Sequence, residues 1–179
     1  TWAEAISWDA PHLAVSRPVT LDFGAAGKGY LVELIAAYLE SQSITDYVVD
    51  GSGDILQMNS AQEPLSVGLE HPDDPLRVIG AIPILNQSIC CSATNRRRWN
   101  DLHHMIDPKT ASPAQGIRAV WTIADTAMLA DGLATALFLV PAKELLQNFT
   151  FSYVLVRDDL SYECSPELAP FMYQEQAGA

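Results

Sequence analysis

Ala127-Met-Leu-Ala-Asp131-Gly-Leu-Ala-Thr135-Ala-Leu-Phe-Leu-Val140 is apolar along its length except for one carboxylate and one hydroxyl. Positions i and i+4 share a helix face, so Asp131 and Thr135 aim their oxygens at one point. Asp125 or Thr126 can cap this helix by accepting from its first free amides, and Pro141 ends it. A carboxylate on so apolar a helix is costly unless its charge is compensated. The helix alone leaves two compensations open. One is a wet face on which Asp131 meets solvent or an arginine. The other is a hard cation such as Mg²⁺, which prefers oxygen ligands.

Upstream of this helix, Arg118–Ala124 reads as a strand, and several more strands precede it. Val19–Phe23 is strand-like and ends in Gly24-Ala-Ala-Gly-Lys-Gly29. A helix follows, with Leu31, Leu34, Ile35, Tyr38 and Leu39 on one stripe, the face expected to be buried. Asp46–Asp50 and Asp54–Gln57 flank Gly51-Ser-Gly53 and predict a hairpin. Leu65–Leu69, Val78–Leu85 and Ser88–Ser92 are further strands, with Pro83 arguing for an edge. Phe151–Arg157 and Leu160–Cys164 predict a closing hairpin. Many strands with a few helices, no repeat and no dividing linker predict a single α+β domain over residues 1–179, with helices packed on a mostly antiparallel sheet.

The net charge of −12 argues against nucleic acid, which needs a basic surface to neutralise phosphates. A small phosphorylated ligand is still allowed, because a local cluster of donors can hold one. Cys90, Cys91 and Cys164 form no CxxC pair, so they read as reduced thiols rather than as a zinc site or a disulfide framework. Asp131 breaks the longest apolar run, which leaves no membrane span. Thr1-Trp-Ala-Glu-Ala does not read as a signal peptide, and the missing initiator methionine reads as a processed or excised chain.

Three further segments carry chemistry. The glycine loop before the first long helix reads either as an anion site, since free amides and the helix dipole favour negative charge there, or as tight packing alone. Lys28 adds a cation, but the spacing is neither a Walker A loop nor GxGxxG. His103-His104-Met-Ile-Asp107-Pro-Lys109-Thr110 gathers imidazole, carboxylate, ammonium and hydroxyl within eight residues. Read alone, it is an exposed polar loop, a base or a metal site. Arg96-Arg97-Arg98 reads as a solvated run or a local positive pocket.

Taken in order, Asp22–Tyr30, Asp50-Gly-Ser-Gly-Asp54, His104–Thr110 and Ala130–Leu137 resemble the ApbE family of FAD:protein FMN transferases. The resemblance runs from about Val19 to Val140. It implies an ApbE-like fold and an enzyme that uses FAD as substrate with Mg²⁺. Such an enzyme moves FMN onto a Ser or Thr hydroxyl of an acceptor protein and releases AMP. By motif position, the main-chain oxygen of Ala25 and the side chains of Asp131 and Thr135 are the implied metal ligands. Asp22, Lys28, His104 and Ile106 are the implied FAD contacts, with His104 also the base. Gly51 to Asp54 are implied only as a turn near the nucleotide or a shaper of the sheet. The family's location on the outer side of the bacterial inner membrane is implied with no export signal in the sequence.

Two departures stand out. The family's usual Thr-Ser-Gly is Cys91-Ser92-Ala93 here, and its Thr-Gly is Thr110-Ala111. The segment that usually precedes the Asp22 block is also missing, so a second copy of the chain becomes a candidate for the absent pocket wall. The same metal site also allows FAD hydrolysis with water as nucleophile, the departures favour FAD binding without transfer, and a non-catalytic assembly domain that keeps only the fold is a third reading.

Overall fold

The computed structural model describes residues 2–95, 97–100 and 102–173. The chain opens with α1 (Trp2–Ala5) and the hairpin β1 (Ile6–Asp9) and β2 (His12–Val15). Then come α2 (Gly27–Ser41), β3 (Tyr47–Asp50), β4 (Asp54–Met58), β5 (Leu65–His71), β6 (Asp74–Ile84) and β7 (Gln87–Ala93). Four two-residue strands follow: β8 (Arg98–Trp99), β9 (Leu102–His103), β10 (Ile106–Asp107) and β11 (Ser112–Pro113). The last elements are β12 (Ile117–Ala124), α3 (Ala127–Ala136), α4 (Ala142–Leu145), β13 (Ser152–Arg157), β14 (Tyr162–Cys164) and a 3-10 turn, Pro166–Phe171.

Six strands form one antiparallel sheet in the order β14-β13-β12-β7-β4-β3. Its central strands are buried on both faces, so they read as nearly continuous apolar runs. Alternation along β12 sends Val120 and Ala124 into one core with Val32 and Ala36 of α2 and Leu133 of α3. Ala119, Trp121 and Ile123 point the other way, against Leu69 of β5, Ile82 and Ile84 of β6, and Leu168 of the 3-10 turn. Thr122, on the helix side, is satisfied by donating to the Ala130 carbonyl at 2.5 Å. The fold is thus α+β, with helices on one face and the β5–β6 hairpin on the other. Pro83 lies on that separate two-stranded hairpin, where a missing ladder donor is tolerated.

Two expectations fail. Val19–Phe23 is irregular, with no neighbouring strand among the described residues to supply a ladder. The α2 stripe is also largely reversed: Leu39 packs against the core, but Leu31, Leu34, Ile35 and Tyr38 are exposed, whereas Gly29, Val32 and Ala36 are buried. The cause is the approach of α3. A methyl on Gly29 would lie 2.2 Å from the Ala127 carbonyl oxygen and 2.8 Å from Asp131 Cβ. The two helices meet backbone to backbone, so the small residues of α2 decide which face turns inward. The larger apolar residues are left on the opposite side.

The two glycine-to-alanine departures differ in consequence. Ala93 ends β7 opposite Ala119, in ordinary extended structure. Ala111 adopts φ +54, where an L-residue is strained and glycine is not. Ala111→Gly is therefore expected to raise the unfolding free energy by about 1 kcal/mol, read from urea denaturation. Gly29→Ala is expected to lower it by about 3 kcal/mol in the same assay, because backbone atoms must move to admit the methyl.

Candidate functional site

The first turn of α2 has no side-chain cap of its own, since Ala26 stands at the cap position. Its free amides are served from a distance. Asp131 Oδ2 accepts the Gly29 N–H at 2.9 Å across 102 residues of sequence. Thr126 caps α3 by accepting from Leu129 N–H at 3.3 Å. Asp131 then lies one turn into that helix, nearly inaccessible to solvent, against the start of α2. Burial pushes its carboxyl above the usual carboxylate range. The Gly29 amide pulls it back, Asp54 raises it, and the Lys28 ammonium lowers it. Among the described residues, no arginine meets Asp131. Helix-end amides do.

Asp22, Ala25, Lys28, His104, Ile106, Asp131 and Thr135, every residue the resemblance implied, line one open cleft of about 1230 Å³. Single-ligand pockets generally hold roughly 300–1,000 Å³, so this one has room for a dinucleotide. Asp22 is exposed and accepts the Gly24 N–H at 2.6 Å, closing the loop before α2. Thr135 Oγ1 lies one turn after Asp131 and shares a hydrogen bond with Ser92 Oγ at 3.2 Å. Ile106 offers an exposed apolar surface on β10.

His104 sits on the opposite wall. Its Nδ1 is 3.3 Å from the Arg97 carbonyl, which can only accept. That contact assigns the proton to Nδ1 and leaves the Nε2 lone pair free. Burial pulls its pKa below the ordinary imidazole value. The Arg97 carbonyl raises it, and the charges of Arg97 and His103 lower it. These effects favour the neutral form of His104. Its neighbour is structural: His103 Nε2 contacts the Ala114 carbonyl at 3.0 Å, and His103 Nδ1 accepts the Met105 N–H at 3.3 Å. Of the arginine run, Arg97 lines the cleft and Arg96 lies outside the described residues.

Sequence reasoning read Asp54 only as part of a turn or a shaper of the sheet, and gave Ser92 no role in the site. Asp54 is completely buried, and the Lys28 ammonium stands 2.5 Å from its Oδ2. The signal was available, because strand alternation places Asp54 on the same face as the core residue Leu56.

Among the described residues, no group of three or more His, Cys, Asp or Glu side chains could hold a metal. A cation here would depend on one carboxylate with hydroxyl and main-chain oxygens. Asp131, Thr135 and the Ala25 main chain are a set of that kind, all facing one cleft. Oxygen-only donors suit a hard divalent ion. A buried carboxylate with a raised pKa gains from such a charge beside it.

The fold has close counterparts among solved structures. The ApbE protein of Thermotoga maritima superposes with a TM-score of 0.82 at 24% identity, over 96% of this chain and 60% of that one. The flavin transferase ApbE of Vibrio cholerae gives 0.72 at 23% identity, over 94% and 58%. Among curated relatives, a Vibrio cholerae FAD:protein FMN transferase is 32% identical over 143 residues, 75% of this chain and 41% of that protein. The Escherichia coli protein of that name is 26% identical over 182 residues, 94% of this chain. The chain spans between 30% and 50% of the length of the relatives it matches. The family pattern itself matches residues 2–152, most of the described sequence, and the chain belongs to the ApbE family.

Proposed function

We propose that the chain carries the catalytic cleft of a Mg²⁺-dependent FAD:protein FMN transferase. The observation that carries this reading is the convergence of Asp131 and Thr135 on the uncapped start of α2, in the cleft that His104 faces. A diphosphate fits that place, where helix-end amides and the Lys28 ammonium favour negative charge. Asp131, Thr135 and the Ala25 carbonyl would hold Mg²⁺, which supplies charge neutralisation for the diphosphate. Asp22 and Ile106 help seat the flavin nucleotide.

In the transfer step, a Ser or Thr hydroxyl of the acceptor forms a bond to the phosphorus of the FMN half. The bridging P–O bond breaks, and AMP leaves with its electron pair. His104 Nε2 takes the hydroxyl proton. Names of relatives support the reaction class. A second copy, packed on the exposed α2 stripe that starts one turn after Lys28, is our candidate partner. A second reading, flavin binding without turnover, is favoured by the strained Ala111.

Purified chain incubated with FAD and Mg²⁺ and an acceptor protein is expected to release AMP, read by chromatography. Asp131→Ala is expected to slow release at least about 100-fold, ~2.7 kcal/mol of barrier. Thermal stabilisation by FAD without AMP would select the second reading. A folded protein showing neither would end both. The acid limb of the pH–rate profile is expected to lie below pH 6.5, because burial lowers the His104 pKa and protonation removes the base. His104→Asn should abolish that limb and cost about 100-fold in rate.

A further inference from the structure

The Asp50–Asp54 turn contributes a residue that the proposed chemistry leaves unused. Its geometry is fixed by the Gly51 N–H to the Asp54 carbonyl at 2.8 Å and the Gly53 N–H to Asp50 Oδ1 at 2.9 Å. Asp54 is the first residue of β4, opposite Cys90 of β7, with its side chain in the helix-facing layer. Neither carboxylate oxygen accepts a hydrogen bond of normal geometry among the described residues. The charge is met by Lys28, whose ammonium lies 2.5 Å from Oδ2 while its side chain is 46% exposed to the cleft.

This arrangement is poor engineering for stability. Taking a carboxylate wholly out of water is costly, and an apolar side chain of similar size in its place is often neutral or stabilising. A lysine also gives up rotamer freedom when it is pinned. What the pair does achieve is position. Lys28 is the second residue of α2, beside the amides that Asp131 engages, and a free lysine there would sample the whole cleft mouth. Tethered to Asp54, its charge stays at the floor, ordered before any ligand arrives.

We propose that Asp54 is a positioning residue, whose buried carboxylate holds the Lys28 ammonium where the diphosphate of a bound dinucleotide meets it. The inference rests on the flavin-nucleotide reading above.

Two measurements test it. The first needs no ligand. With limiting acetylating reagent, Lys28 is expected to react at least fivefold more slowly than the exposed Lys109 and Lys143, read by mass spectrometry. Reaction at an equal rate means that the ammonium is not held, and overturns the proposal whether or not FAD binds. The second is FAD titration by calorimetry in Mg²⁺. Asp54→Leu is expected to stay folded and bind FAD about tenfold more weakly. Adding Lys28→Met should cost no more than a further twofold, since an untethered lysine contributes little. Asp54→Asn reads the same comparison if leucine does not fit. If Asp54→Leu binds like wild type while the double variant is weak, Lys28 contacts the ligand unaided and the positioning role is wrong. If the double variant binds like wild type, Lys28 makes no ligand contact and the role falls with it. If wild type binds no FAD while Lys28 stays slow to react, it is the flavin reading that fails.

Discussion

One hydrogen bond joins the two halves of the site: the Gly29 amide to the Asp131 carboxylate, at 2.9 Å. It caps α2 from another helix, draws a charged side chain into the interior, and leaves that charge at the edge of the cleft. Gly29 makes it possible, because any side chain there would collide with the Ala127 carbonyl. Asp131 makes it necessary, because Ala26 offers no cap. The remaining groups of the site are arranged around this contact. Thr135 follows Asp131 by one turn, Lys28 precedes Gly29 by one residue, and Ala25 ends the loop that leads into the helix.

The electrostatics follow from the same crowding. Two carboxylates, Asp54 and Asp131, are nearly inaccessible to solvent, and the Lys28 ammonium pairs with Asp54. Burial first, and the Asp54 charge after it, push up the Asp131 carboxyl and the buried Cys90 thiol. Such an excess of negative charge favours a cation on the cleft side. In a chain with net charge −12, any positive potential in the cleft must therefore be local. Helix-end amides, Lys28 and Arg97 supply it.

Much of this was legible in the sequence. Asp131 and Thr135 declared a shared face by their spacing, and alternation along Arg118–Ala124 marked a central strand. The four motif blocks named residues that the fold brings to one cleft. What remained hidden was set by contacts between distant segments. Hydrophobicity pointed to Leu31, Leu34, Ile35 and Tyr38 as the inner face of α2, but helix contact distance is limited by backbone, and the glycine face won. Val19–Phe23 has the composition of a strand, yet a strand exists only where a partner offers a ladder. Asp54 looked like a turn residue. Its burial became visible only when β4 was registered against β7.

Mn²⁺ can stand in for Mg²⁺ and be located by its anomalous scattering in a crystal grown with FAD. The account predicts one strong peak bound by the Asp131 carboxylate, the Thr135 hydroxyl and the Ala25 main-chain oxygen, against the diphosphate. A crystal with FAD in the cleft and the metal elsewhere, or with Asp131 turned away from it, would contradict the account.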